Sequence, residues 1–391
     1  MNPLEGKIHI ELAGVDDGRT RIDNQRALGA SALLRGKRVA QALEVVPLLF
    51  NVCGMAQARA ACRAAESALN QAATPSVEQA RELLVLMEWA REHLARILID
   101  WPRLFGEPPD IRALPAIGTL LAQLRTRLFP HNRAFALNAT AGPIPTDIPE
   151  VTRLEQILED EIFHMPARRW AEMGNIEALL DWSDEAPGIA ARSIRRICEA
   201  GWSSQGRCDV SALPPIPLAE IQDVLAGDTA NDFVRRPTWT SRARETTSFT
   251  RQRHHPLVAT LEAEFGNGLL TRWVARLVEL AELPAAMRRI AAEPPEGSSI
   301  ARCEESQGAI GVAQTEAARG RLYHFIEIEN DRIGDYRILA PTEWNFHPEG
   351  VVAAALDNLS LPDPEERRFV AELLVNAIDP CVASEVVSSD A

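Results

Sequence analysis

The stretch Asn51-Val-Cys53-Gly-Met-Ala56-Gln-Ala-Arg-Ala60-Ala-Cys62-Arg-Ala-Ala-Glu66 sets a thiol immediately before a run dominated by alanine. Alanine surrenders no side-chain freedom in a helix, so the run from Gly54 to Ala73 is predicted to be helical. A thiol at a helix start faces unpaired N–H groups and the positive end of the dipole, which lower its pKa and favour the thiolate. The alternative is a buried structural thiol, because free cysteine is among the most buried residue types.

Downstream, Thr74-Pro75-Ser76 opens a second helix, with Thr74 as cap and Pro75 in the first turn. It carries Leu83, Leu84, Met87, Leu94, Ile97 and Leu98 and is expected to stop at Asp100-Trp101-Pro102. Further helices are expected at about 111–128, 151–163, 168–182, 187–200, 217–226, 256–292 and 364–378. Upstream, Lys7 to Gly14 alternates polar and apolar, as a strand does, before a turn at Asp16-Asp-Gly18. Towards the other end, Arg321–Ile328 and Arg332–Leu339 flank Glu329-Asn330-Asp331 and read as a hairpin. Residues 227–255 are polar and basic and read as a loop-rich excursion. The fold class expected is mainly α with small β-sheets (α+β), the sheets supplied by both ends.

The 391 residues are 46% hydrophobic and 25% charged, with 41 Lys and Arg against 55 Asp and Glu, a net charge of −14. Such an acidic chain repels phosphate backbones and anionic lipid, so neither nucleic acid nor membrane is expected as a partner. The opening MNPLEGKIHIELAG has neither the basic start nor the apolar stretch of a signal peptide. No run approaches the ~18 apolar residues of a membrane span. The six cysteines, at 53, 62, 198, 208, 303 and 381, include no CxxC pair. Reduced thiols and a cytoplasmic location are therefore expected. GxGxxG, GxxxxGK[ST], HExxH and GxSxG are all missing. His254-His255 are adjacent, do not share a helix face, and read as a surface or loop pair.

A second cysteine sits in the turn-prone Asp379-Pro380-Cys381, and two further segments stand out, Thr315-Glu-Ala-Ala-Arg319-Gly320 and Tyr336 to Asn345 (YRILAPTEWN). Together they resemble the landmarks of nickel–iron hydrogenase large subunits. Cys53 to Glu66 resembles the first metal-binding motif, C-G-x-C before an alanine-rich helix. Asp379 to Ser384 resembles the second, D-P-C-x-x-C. Thr315 to Gly320 resembles E-A-P-R-G, and Tyr336 to Asn345 resembles Y-x-x-x-x-P-T/S-x-W-N. Leu4 to Ile8 is similar to R-I-E-G-H and Leu34-Arg35-Gly36 to R-G-x-E, with His255 to Val258 a weaker reminder in between.

The resemblance implies a single hydrogenase large-subunit-like domain over 1–391. Residues 1–70 and 305–391 would form a metal-site region and 71–304 a helical body. In that family four thiolates hold nickel and iron, and the second cysteine of each motif bridges the metals. Here Ala56 and Ser384 occupy both bridging positions, leaving Cys53 and Cys381 as the metal ligands. The first motif's histidine is Ala60, a magnesium-binding glutamate is replaced by Arg38, and Ser384 to Ala391 contains no histidine. Two thiolates cannot complete a sulfur-rich nickel site beside an iron, so no nickel and no catalysis are expected.

Arg319 and Thr342 match the residues that donate hydrogen bonds to the iron's cyanides. A buried cyanide nitrogen needs such donors. Ferrous iron with two cyanides and one carbonyl is formally neutral, and two thiolates would bring two negative charges that Arg319 partly offsets. This pattern is similar to hydrogenase expression/formation proteins of the HupK/HoxV type. It implies a non-catalytic scaffold that transiently holds the iron–cyanide–carbonyl unit, with maturation chaperones and the hydrogenase large subunit as partners. The alternatives are a divergent hydrogenase with an altered metal site, or a metal-free interaction protein.

Other roles remain open at this point. Arg319 could be an ion-pair residue and Thr342 a cap; Arg319→Leu is expected to weaken retention of the iron unit more than stability. Glu5, which matches a proton-relay glutamate, is expected to make local hydrogen bonds only. Cys62 is read as core packing or a backup thiol, Cys198, Cys208 and Cys303 as structural, Trp344-Asn345 as packing beneath the pocket, and Asp379 as an acceptor of backbone N–H bonds that fixes Cys381.

Overall fold

The structure, a computed structural model, describes residues 6–13, 18–24, 29–50, 52–293 and 309–388. Strands β1 (Lys7–Leu12), β2 (Arg21–Asn24), β3 (Ala309–Ala317), β4 (Gly320–Glu329), β5 (Arg332–Leu339) and β6 (Ala383–Ser388) form two three-stranded sheets. In the first, β1 is central: it runs antiparallel to β2 and parallel to β6, with Ile8 opposite Ser384. The two ends of the chain are thereby fastened together. The second is the antiparallel meander β3-β4-β5. Asn330 and Asp331, both at positive φ (49° and 63°), make the tight β4–β5 turn that a right-twisted hairpin favours.

Helices supply the rest, so the α+β expectation holds. The Gly54–Ala68 helix is buried over most of its length. Its small side chains let β3 come so close that a Cβ at Gly311 would lie 2.0 Å from the Ala64 carbonyl oxygen. Gly311→Ala must push a strand off a helix rather than rotate a side chain. It is expected to cost at least about 2 kcal/mol, read as a lower urea midpoint at unchanged slope.

Two expected helices differ in form. The helix at Pro75–Ala95 does not stop at Asp100; it widens into a π turn, Arg96–Asp100, and closes with Trp101–Leu104, where Pro102 lies in a first turn that lacks no hydrogen bond for it. The span 256–292 divides into Pro256–Phe265 and Leu269–Ala292, because Gly266 takes a left-handed φ of 64°. The Leu269–Ala292 helix is the centre of the core, with Trp273 stacked on Trp101 at 4.0 Å.

Residues 227–255 include the short helices Ala230–Arg235 and Ser248–Gln252, and Glu245 to Phe249 are buried. Two of their charges enter the core in pairs, Glu245 accepting from Arg272 and Arg251 Nε donating to Glu279 at 2.6 Å, while Arg235, Arg236, Arg242 and Arg253 stay exposed. His255 caps the following helix, its Nδ1 accepting from the Leu257 N–H at 3.3 Å. Among the described residues no helix is long and apolar enough to cross a membrane.

Candidate metal site

Cys53 is the residue before the first turn of the Gly54–Ala68 helix, and Cys381 lies just past the end of the Pro364–Ile378 helix. The fold draws them into one electrostatic neighbourhood. The Cys53 thiol is pushed up to about 12, first by burial, then by the charges of Cys381 and Glu88, with Arg319 and Gln57 acting against the rise. The expected lowering at a helix start is overturned. Glu88 takes the helix's first free N–H groups, accepting from Met55 N at 2.8 Å and Ala56 N at 3.0 Å, so a carboxylate replaces the positive helix end that the sulfur was to feel.

Around Cys381 the donors are side chains. Thr342, buried in the short Pro341–Asn345 helix, donates its hydroxyl to Cys381 Sγ at 2.9 Å and accepts from the Cys381 N–H at 3.3 Å. Pro380 is held from behind by Arg96 Nη2, which donates to its carbonyl oxygen at 3.0 Å.

Among the described residues no backbone N–H donates to the Asp379 carboxylate; it is the hub of an arginine cluster. Only 4% exposed, its carboxylate meets Arg319 Nε at 3.0 Å, Arg96 Nε at 2.8 Å and Arg276 Nη2 at 3.3 Å. Burial opposes its charge, yet the three guanidiniums, Arg319 foremost, hold it well below the usual carboxylate range. The π turn that begins at Arg96 is the device that aims that side chain here.

Arg319 occupies the β3–β4 turn. Gly320 follows at φ 128°, where a Cβ would lie 2.2 Å from the Thr246 carbonyl oxygen. Asn345 locks the turn by pairing with both backbone groups of Thr246 (2.8 Å each) and donating to the Arg319 carbonyl oxygen at 3.4 Å. The Arg319 guanidinium is itself buried; Nη1 donates to Glu92 at 3.2 Å, and Nη2 donates to no described residue. Burial opposes its charge, but Asp379, Glu92 and then the Cys381 and Cys53 sulfurs raise its pKa. Arg319 is therefore charge-coupled to both thiols and also carries structure. Its removal would take one of three guanidiniums from Asp379 and one of two arginines from Glu92, so Arg319→Leu is expected to lower stability as well as retention of the iron unit.

The remaining sites divide simply. Ala56 and Ala60 are buried without polar function, Ser384 is exposed on β6, and the Arg38 side chain is two-thirds exposed near Asp331. Cys62 is buried against Arg81, whose Nη2 donates to its sulfur at 3.1 Å, in a cluster with Glu66. Cys198 and Cys208 are half-buried. Glu5 and Cys303 lie outside the described residues.

Chemically, the site presents two thiols, a guanidinium whose Nη2 has no partner among the described residues, and a hydroxyl that donates to one of the thiols. Among the described residues, no group of three or more His, Cys, Asp or Glu could hold a metal ion. A bare ion would find too few donors here. A metal that arrives already carrying ligands needs fewer, and a hydrogen-bond acceptor on it would meet Arg319 Nη2.

Residues 242–386 match the family described as nickel-dependent hydrogenase, a span that holds Arg319, Thr342 and Cys381 but not Cys53. The hydrogenase expression/formation protein HoxV of Cupriavidus necator is 30% identical over 383 residues, covering 92% of this chain and 91% of that protein. The HupK protein of Azotobacter vinelandii is 29% identical over 396 residues, covering 98% of each. The fold is that of the nickel–iron–selenium hydrogenase of Desulfovibrio vulgaris Hildenborough, with a TM-score of 0.65 at 17% identity over 93% of this chain and 92% of that one.

Proposed function

The chain belongs to the hydrogenase expression/formation proteins of the HoxV and HupK type, and from that premise we propose that it serves nickel–iron hydrogenase maturation as a non-catalytic scaffold. Its cargo is iron carrying cyanide and carbonyl, bound by Cys53 and Cys381. Arg319 hydrogen-bonds the cyanides, as does Thr342 once its hydroxyl turns from the Cys381 sulfur. Maturation chaperones deliver the unit, and the hydrogenase large subunit receives it.

The observation that carries this reading is the donor set: two thiols from opposite ends of the chain are charge-coupled to Arg319, whose Nη2 has no partner among the described residues, while alanine and serine stand at both bridging positions. A hydrogenase needs a complete bimetallic cage. A carrier needs enough ligands to hold iron and few enough to let it go.

Release is a ligand exchange. Each incoming thiol gives up a proton as its sulfur binds iron, and Cys53 and Cys381 take up protons as their own bonds to iron break. Burial of Cys53 favours that end state, because a thiol pushed up to about 12 is strongly stabilised over a free thiolate. Binding and release are thus separated by a proton as well as a bond.

Infrared absorption of the protein purified anaerobically from its own host tests the reading. Cyanide and carbonyl stretches are expected, with iron present and nickel at background. Stoichiometric nickel with hydrogen turnover would make the protein an enzyme. Neither bands nor iron, with maturation still supported, would make it a metal-free interaction protein.

A further inference from the structure

Behind Cys53 a line of hydrogen bonds runs into the core. Gln57 lies one helical turn beyond the cysteine, and its Nε2 donates to Cys53 Sγ at 3.6 Å. Its Oε1 lies 2.7 Å from His324 Nε2, and His324 Nδ1 lies 2.6 Å from the Tyr336 hydroxyl. Gln57 belongs to the Gly54–Ala68 helix, His324 to β4 and Tyr336 to β5, and all three are buried. Three separate elements therefore converge on one sulfur.

The directions along this line are determined by donor and acceptor counts. His324 is neutral, because burial lowers its pKa to about 3. A neutral imidazole has one donor and one acceptor nitrogen. With the Gln57 amide nitrogen turned to the sulfur, its oxygen must accept from His324 Nε2–H, and Nδ1 then accepts from Tyr336. The reverse order would leave the phenol hydrogen buried without an acceptor, since Tyr336 Oη has no other hydrogen-bond partner among the described residues. The tyrosine thus fixes the histidine tautomer, and the histidine fixes the amide.

We propose that Gln57, locked in this orientation by His324 and Tyr336, is a positioning residue for the iron-bearing Cys53, holding an N–H on its sulfur and drawing electron density from the iron–sulfur bond. This rests on the reading of Cys53 as an iron ligand. Hydrogen bonds to a ligating sulfur tune the metal through that ligand, and outer partners that orient such donors matter nearly as much as the ligands. The device would weaken the sulfur's hold on iron, which suits a carrier.

The test is the infrared spectrum of the iron-loaded full chain purified anaerobically from its host. Gln57→Leu removes the donor, so the sulfur pushes more charge onto iron and the carbonyl stretch moves to lower wavenumber. His324→Phe frees the amide to turn and shifts the band in the same direction. Tyr336→Phe keeps the ring and removes one oxygen, which makes it the variant easiest to fold; it gives a smaller shift of the same sign. Unshifted bands in folded, iron-loaded Gln57→Leu and Tyr336→Phe overturn this assignment alone. A parent protein without any bands overturns the iron-carrier reading, and this assignment with it.

Discussion

Asp379→Asn is expected to lower stability by about 3–5 kcal/mol, as breaking a buried ion pair from one side does. The change is nearly isosteric, so no cavity is made. It removes the one carboxylate shared by Arg96, Arg276 and Arg319, leaving them, among the described residues, Glu92 and Asp100 as carboxylate partners beside the carbonyls of Pro380, Asn376 and Ala377. Arg276 is the worst placed, because its Nε and Nη1 are already buried without partners among the described residues. The pH dependence follows from the direction of the shift. Asp379 is held below its unfolded value, so its contribution is complete above the ordinary carboxylate range and is lost as pH falls through the folded pKa. The gap between parent and variant should stay constant above about pH 5 and narrow below about pH 4. Urea unfolding across that range measures it; a neutral-pH gap below about 1 kcal/mol would mean that the arginines re-pair without this aspartate.

How much of this could be read beforehand depends on the range over which each signal acts. The β4–β5 hairpin was legible because Asn330-Asp331 is local turn chemistry between two alternating runs. The motifs single out Cys53, Cys381, Arg319 and Thr342, and the hydrogen bond between Thr342 and Cys381 joins two of these segments directly. The parallel pairing of β6 with β1 was not, since a short, largely exposed strand bears no mark of a partner at the other end of the chain. Nor was the role of Asp379: its partners come from a π turn, a mid-helix arginine and a β-turn, and ion pairs between distant elements leave no periodicity. The polar run ending at His255 reads as a loop-rich excursion because local composition cannot show that Glu245 pairs with Arg272 and Arg251 with Glu279, while Arg235, Arg236, Arg242 and Arg253 do stay exposed. Glu88 and Gln57 were missed for a related reason. Each is an ordinary helix residue until the Cys53 turn is set beside it, and then one cancels the helix-end field while the other takes its place as the donor to sulfur.

On the iron-carrier reading, Cys53→Ala and Cys381→Ala should each reduce iron in the purified protein to background while leaving it folded. The structure says why stability is spared. Cys53 makes no side-chain cap, and the helix start is secured by Glu88 through the Met55 and Ala56 N–H groups. Cys381 contributes one hydrogen bond as an acceptor, from Thr342, so its loss is expected to cost about 1 kcal/mol or less. Both sulfurs are needed because no third His, Cys, Asp or Glu among the described residues completes a metal-holding group with either. Cys62→Ala is the matched control: it removes a more deeply buried sulfur, beside Arg81, and should lower stability while leaving iron in place. Iron per chain and urea midpoints, measured on the same samples, separate the two effects. Full iron in both site variants, with hydrogenase maturation undiminished, would remove the cysteines from the mechanism; loss of iron in Cys62→Ala alone would move the ligand to the wrong side of the helix for Arg319 and Thr342 to serve it.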